Sequence, residues 1–260
     1  MTTFISAPFG NYLKFKNAVS VTGTWTYKPR PGLFKQVVKT LRYTRNGWRN
    51  KIGLRNRGIE YGIQKTNFNE VLSIAAISEH DWINLESIVP QSQSVELNIS
   101  CPNTASGKCV GDDLLSIEKL VDHVRENCSS VISLKISPDW SDDHLRNIGD
   151  IIRVKDKMLV NAGNTQFRTI NDLGLKKGQL PRNGGGLSGV AIFPRTLKMI
   201  HIFKDLNISI MATGGISTVH HLRAAKHAGA KLFGMATALI MDPYCIPKIN
   251  YQLYESLVDC

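Results

Sequence analysis

The stretch Val95-Glu96-Leu97-Asn98-Ile99-Ser100-Cys101-Pro102-Asn103-Thr104 sets a thiol between two side-chain amides. An apolar run delivers Asn98 at its end. A turn then presents Cys101, with Pro102 stiffening the bend and Asn103 just beyond. Asparagines both donate and accept hydrogen bonds, so this pair can hold a flat, polar ring while the thiol takes a proton from it. The reference pKa of a thiol is about 8.5, so a base working near neutrality needs a local shift or gives pH-dependent activity. A lone cysteine is more often a small buried hydrophobe, and that reading suits Cys128, Cys245 and Cys260. The polar company of Cys101 argues against it there.

Other segments carry residues of matching kinds. Asn50 and Asn164 join Asn98 and Asn103, so four asparagines arrive from three separate loops. Gly214-Gly215 follows one apolar run, and Ala236-Thr237-Ala238 closes the next. Small residues at the ends of the last two strands of a barrel let backbone N–H groups hold a phosphate. A single Gly-Gly pair is ordinarily just a turn; two such sites in succession favour the phosphate. Gly184-Gly185-Gly186, with Ser188 and Gly189, lets the backbone approach a ligand closely. Lys135 ends an apolar run, where a cation is costly without an anionic partner. The bland alternative is a lysine reaching from the barrel mouth into water.

Positioning these groups requires elements that end together. Short apolar runs predict strands at Thr3–Ala7, Ala18–Thr22, Val71–Ile77, Val95–Ile99, Val131–Ile136, Met158–Asn161, Ile208–Ala212 and Lys231–Ala236. They are apolar on both faces, as in a parallel sheet covered on each side. Helical periodicity lies between them over Leu114–Glu126, Asp142–Val154, Thr196–Phe203 and Val219–Ala228. Nearly every strand ends in Asn, Lys, Gly, Ser or Thr. Those clusters converge only if the strands form a ring, because an open sheet uses just the strands at its switch point. The expectation is an α/β fold, a single-domain (β/α)8 TIM barrel over 1–260, with the irregular stretch 27–64 an excursion over the mouth.

Composition agrees with an ordinary globular chain. At 260 residues the length suits one barrel of about 250 residues. No apolar run approaches the roughly 20 residues that span a bilayer. Five cysteines without regular spacing argue against a disulfide framework, so a cytoplasmic location is expected and no metal is. The net charge of +11 is local. Residues 1–59 hold twelve Lys/Arg and no Asp or Glu, and ten of the twelve lie between Lys28 and Arg57. Such a segment could meet nucleic acid, an anionic membrane surface or an acidic partner. No nucleic-acid motif accompanies it, so a solvated basic face that draws in anionic small ligands is the expectation.

Taken together, these motifs resemble the dihydroorotate dehydrogenases over nearly the whole chain. Asn98-Ile99-Ser100-Cys101-Pro102-Asn103 looks like their active-site signature, with Cys as base as in the soluble classes; the membrane-associated class has Ser there. Asn50-Lys51-Ile52-Gly53-Leu54-Arg55-Asn56 resembles the family's substrate loop, and Leu134-Lys135-Ile136 is similar to the strand whose lysine approaches the flavin. Asn164-Thr165 matches the pair beside the substrate. Gly185-Gly186-Leu187-Ser188-Gly189, Thr213-Gly214-Gly215-Ile216 and Met235-Ala236-Thr237-Ala238-Leu239 resemble three FMN loops.

The resemblance implies oxidation of dihydroorotate to orotate in pyrimidine biosynthesis. Cys101 would remove the C5 proton and hydride would pass from C6 to flavin N5, with Lys135 also catalytic. Substrate would be held by Asn50, Gly53, Leu54, Asn98, Asn103, Asn164 and Thr165. FMN would be held by Ser6, Ala7, Gly23, Thr24, Asn98, Lys135 and Asn161, and by Gly186, Ser188, Gly189, Gly214, Gly215, Ala236 and Thr237. A homodimer is implied as one assembly. Fumarate, a quinone, and NAD through an iron–sulfur partner all serve the family, so the electron acceptor stays open.

One position departs from the pattern. The soluble classes carry a substrate lysine where this chain has Gly23, and Gly23-Thr24-Trp25-Thr26-Tyr27-Lys28-Pro29-Arg30-Pro31-Gly32 resembles the membrane-associated class instead. That class places its lysine after the first strand, where Lys14 is the candidate here. Two other readings stand beside this one. A tRNA-dihydrouridine synthase also uses an FMN barrel with a catalytic Cys, but in a Gly-Cys-Pro context and with a helical RNA-binding domain. A non-catalytic flavin-binding relative would explain Gly23, though not the retention of Cys101 and four asparagines.

Overall fold

In a computed structural model, residues 1–44, 47–100, 110–172 and 184–258 are described. The first strands are β1 (Thr2–Ile5), β2 (Ala18–Trp25), β3 (Arg42–Thr44), β4 (Gly47–Asn50), β5 (Val71–Ile74) and β6 (Val95–Asn98). They are followed by β7 (Ile132–Lys135), β8 (Met158–Ala162), β9 (Gln166–Thr169), β10 (Gly184–Ser188), β11 (Ser209–Thr213) and β12 (Leu232–Met235). The helices are α1 (Leu33–Thr40), α2 (Ile59–Lys65), α3 (Glu79–Ile88), α4 (Leu114–Asn127), α5 (Asp142–Ile152), α6 (Phe193–Asp205), α7 (Val219–Ala228), α8 (Ala238–Met241) and α9 (Cys245–Val258).

Eight strands close a parallel barrel in the order β1-β2-β5-β6-β7-β8-β11-β12, and β12 pairs back onto β1. These are the eight strands expected from the sequence. Helix starts follow local chemistry: the Asp113, Ser141 and Thr218 side chains accept from the backbone N–H three residues on, and Ser78 with Asp81 forms a capping box. The outer core packs Leu97, Leu134, Val160 and Ala212 of the strands against Ile117, Val121, Leu145, Ile148 and Phe203 of the helices. Inside the ring, Phe4, Val21 and Met211 meet Val19, Val71, Leu159 and Leu232. These residues come from strands on opposite sides of the barrel, so they form an apolar floor.

The stretch 27–64 is more regular than its composition suggested. It holds α1, β3 and β4, and β4 pairs antiparallel with β10, giving a second sheet in the order β3-β4-β10-β9. Both excursions leave from the C-terminal ends of barrel strands, β2 and β8, so this sheet stands at the mouth. Its strands are short and its central pairing joins residues more than 130 positions apart (Ser188↔Trp48), which no local periodicity reveals. Among the described residues no helix is long and apolar enough to cross a membrane.

The loop after β7 is pinned from below. Arg195 of α6 donates to the Pro138 and Trp140 carbonyls at 2.9 and 2.6 Å and pairs with Asp142 at 2.6 Å. Lys198 reaches the same carboxylate at 2.6 Å. The Lys198 and then the Arg195 bonds hold the Asp142 carboxyl down at about 2. A depressed carboxylate contributes stability that is complete above its unfolded pKa of about 3.9 and disappears as pH falls through the folded value. Asp142→Asn should therefore lower the thermal midpoint at pH 5, and the gap to wild type should narrow steadily towards pH 2. A gap that stays constant across that window would mean the carboxylate charge is not what the two cations hold.

Candidate active site

Above the apolar floor the barrel interior turns polar. Glu96 of β6 is fully buried, and three donors answer it. Ser73 of β5 donates to Oε1 at 2.7 Å, Asn161 of β8 donates to Oε2 at 2.6 Å, and the Lys135 ammonium of β7 lies 3.5 Å from Oε1. Side chains of β6 and β8 meet across β7 because both point into the closed ring. A buried carboxylate is tolerable when paired and hydrogen-bonded in this way. The anion that Lys135 requires is thus supplied first by the protein.

From Ser73 a chain of hydrogen bonds climbs to the mouth. Ser73 gives its only hydroxyl hydrogen to Glu96, so the 3.0 Å contact with Thr24 has Thr24 as donor. Thr24 in turn accepts from the Asn98 amide at 3.2 Å. Ser100 donates to the Asn98 carbonyl at 3.1 Å and accepts from the Asn164 amide at 2.6 Å. Asn164 closes its own turn by accepting from the Thr165 N–H at 2.8 Å. The chain fixes the amide orientation of both asparagines and ends one residue short of Cys101. Cys101 and Asn103 lie outside the described residues.

Asn50 reaches the same region by another route. It stands opposite Gly186 in the β4–β10 pair, and a side chain at 186 would collide with the Thr165 hydroxyl. Asn50 therefore sits across β10 from the Asn164-Thr165 turn, with its carbonyl accepting from Ile52 N–H at 3.3 Å, which shapes the turn to Gly53 and buried Leu54. Ser188 donates to the Trp48 carbonyl at 3.1 Å, locking the two strands.

Gly23 has a structural reason to lack a side chain. Its φ is +106°, and a Cβ there would stand 2.4 Å from the Ser73 carbonyl oxygen. A lysine cannot occupy this backbone. Lys14 does not replace it: its ammonium pairs with Glu70, immediately before β5 begins, at the opposite end of the barrel from the mouth. The expectation for Lys14 is thereby corrected, because a partner at the N-terminal end of the strands holds it away from the site.

The far side of the mouth is glycine-rich. Gly189, Gly214 and Gly215 all have positive φ. A Cβ on Gly215 would meet the Gly189 carbonyl at 3.0 Å and the Phe193 N–H nitrogen at 2.9 Å, so these loops converge where α6 begins. Nearby, the buried Ser6 and Thr213 hydroxyls flank Gly234, and among the described residues neither has a partner; nor does the Asn161 carbonyl. Ala7, Ala236 and Thr237 are partly exposed at the same strand ends. Orphaned polar atoms beside a bare backbone cradle suit a ligand with a polar ring and a phosphate, and FMN is such a ligand.

The family model described as dihydroorotate dehydrogenase matches residues 8–257. The catalytic subunit of dihydroorotate dehydrogenase B (NAD(+)) from Listeria welshimeri is 31% identical over 229 residues, 81% of this chain and 72% of that one. Its Bacillus thuringiensis counterpart is 30% identical over the same length, covering 81% and 71%. The chain belongs to the dihydroorotate dehydrogenase family. The ligand-free dihydroorotate dehydrogenase of Eimeria tenella shares the fold, with a TM-score of 0.78 at 18% identity, over 99% of this chain and 84% of that one. The family consists of oxidoreductases acting on CH–CH bonds, and this chain is one of them.

Two groups in this dihydroorotate dehydrogenase family member escaped sequence reasoning. Glu96 had a legible signal, a charge inside an apolar strand, equivalent to the one that drew notice to Lys135. Arg49 had none, being one more cation in the basic run. It is fully buried beside Asn50, burial pushes its pKa down, and among the described residues none of its side-chain nitrogens has an acceptor. Cys128 and Cys245 are buried as expected, and burial raises the Cys245 thiol to about 11.

The Glu96–Lys135 pair yields a stability test. Removing one partner of a buried pair costs about 3–5 kcal/mol because the other charge is left alone. Glu96→Gln should lose an amount of that order in urea unfolding, and Glu96→Gln combined with Lys135→Met should recover most of it. Additive losses in the double-mutant cycle would show the two residues to be uncoupled.

Proposed function

We propose that this chain oxidises dihydroorotate to orotate, with FMN held at the barrel mouth and Cys101 taking the C5 proton. The observation that supports this most is the Ser100 hydroxyl, which joins Asn98 to Asn164 directly before Cys101. Two amides fixed in orientation can bind a planar ring that presents both donors and acceptors, and they hold it where the neighbouring thiol can act. Asn50 and Asn103 complete the set, with Gly53, Leu54 and Thr165 closing around the substrate.

When bound, FMN would supply the redox chemistry as the acceptor of the hydride from C6. Ser6, Ala7, Gly23, Thr24, Asn98, Lys135 and Asn161 would hold its ring end. Gly186, Ser188, Gly189, Gly214, Gly215, Ala236 and Thr237 would hold its ribityl and phosphate. The orphaned Ser6 and Thr213 hydroxyls and the Asn161 carbonyl support this assignment. The chain's own contribution is positional and electrostatic. Asparagines orient the ring, the Cys101 sulfur receives the proton as the C5=C6 bond forms, and Lys135 contributes a positive charge that Glu96 keeps in place.

The direct test is an anaerobic visible spectrum of the protein with FMN, before and after dihydroorotate is added. Bleaching of the flavin bands is expected. Bands that persist would remove dihydroorotate as substrate, and failure to retain FMN at all would remove the cofactor. Cys101→Ala should retain flavin while its reduction slows roughly 10²-fold or more, the usual worth of a positioned general base. In the wild type, reduction should accelerate as pH rises and the thiolate forms, and the Cys101→Ala variant should lack that rise. Equal rates in the two proteins would take Cys101 out of the reaction.

A further inference from the structure

The outward face of α1 is unusual for a surface helix. Its inward side carries Leu33, Gln36, Val37 and buried Thr40. Outward stand Phe34, 82% exposed, Lys35, Val38, 58% exposed, and Lys39. Phe34 and Val38 are one turn apart, as are Lys35 and Lys39, so an apolar row runs directly beside a cationic one. Just past the helix, exposed Arg42 is held against it by bonds to the Val38 and Leu41 carbonyls, and Tyr43 is 65% exposed. No acidic residue precedes Glu60 in the chain, and among the described residues Lys35 and Lys39 have no ionic partner.

We infer that this face of α1 docks on the surface of an anionic lipid bilayer. A bilayer offers the two matching features in one arrangement, with negative headgroups directly above apolar chains. Phe34 and Val38 enter the acyl boundary while Lys35 and Lys39 extend their stems along it and leave their ammonium groups among the headgroups. A protein partner suits the face less well, because lysine is depleted at the centre of protein interfaces. A second copy suits it least, since a two-fold contact would set these cations against their own kind. Each Lys or Arg near an anionic surface strengthens binding about fivefold, and exposed Arg42, held against the end of α1, adds to this.

Docking also has a consequence for geometry. The Thr40 hydroxyl accepts from the Lys51 N–H at 3.1 Å, so α1 is tied to the turn that follows Asn50. The mouth sheet would then lie at the lipid surface. The inference stands apart from the reaction proposed above and does not depend on it.

The experiment is co-sedimentation of the full chain with vesicles of phosphatidylcholine alone or with about a third phosphatidylserine, at low and high salt. Binding to the phosphatidylserine vesicles at low salt, weakened by high salt and at least about tenfold poorer on phosphatidylcholine, is expected. Phe34→Ser/Val38→Ser should weaken it about tenfold, and Lys35→Glu/Lys39→Glu at least about 25-fold, with melting temperatures unchanged because all four side chains are exposed. No sedimentation with either vesicle would overturn the inference. So would binding that survives both variants, or binding that only the charge reversal weakens. A concentration-dependent dimer that Phe34→Ser/Val38→Ser abolishes, without vesicle binding, would assign the face to a second copy instead.

Discussion

A carboxylate closed inside a β-barrel has to be answered by donors from the walls around it, and Glu96 sets that condition for the whole site. Its two oxygens draw Ser73, Lys135 and Asn161 inward from three other strands. Because the ring is closed, satisfying Glu96 fixes the relative heights of β5, β6, β7 and β8. The hydroxyl of Ser73 then has no second hydrogen to give, which sets the direction of every bond above it through Thr24 to Asn98. Charge compensation at the bottom of the polar layer becomes amide orientation at the top. Preorganised donors and acceptors of this kind avoid reorganisation when a substrate arrives, which is where such sites gain rate.

The mouth sheet meets a second constraint. Asn50 and the Asn164-Thr165 turn belong to loops that leave the barrel at β2 and β8, which are not neighbours in the ring. Pairing β4 with β10 brings them together, and Gly186 lets the strands lie close enough for Thr165 to approach. The Arg195 clamp on the loop after β7 and the Asp139 carboxylate that accepts from the Phe167 N–H at 2.8 Å hold the same assembly from the other side. The site is therefore built from loops, but the loops are braced by backbone pairing and by one buried network.

The basic amino-terminal segment divides in three dimensions in a way its charge alone does not suggest. Arg49 is taken out of water altogether, while Lys35, Lys39 and Arg42 stay at the surface beside exposed apolar side chains. One run of like charge thus contains a buried strand residue next to Asn50 and an outward helix face.

Much of this was legible in the order of residues. Short apolar runs ending in polar clusters gave the eight barrel strands, because a strand buried on both sides must be apolar along its length and can change character only at its end. Asn98, Asn164, Lys135 and the glycine loops stood out because polar or bare residues at those ends have few structural uses, and the fold places them at the mouth. What only the tertiary structure decided depends on residues far apart in sequence. The mouth sheet joins strands more than 130 positions apart. Gly23 cannot be a lysine because of the Ser73 backbone, and Lys14 is drawn to Glu70 at the opposite end of the barrel. Glu96 is tolerable because three other strands supply its donors. A sequence specifies which residues are costly to bury; closure of the ring decides which neighbours relieve that cost.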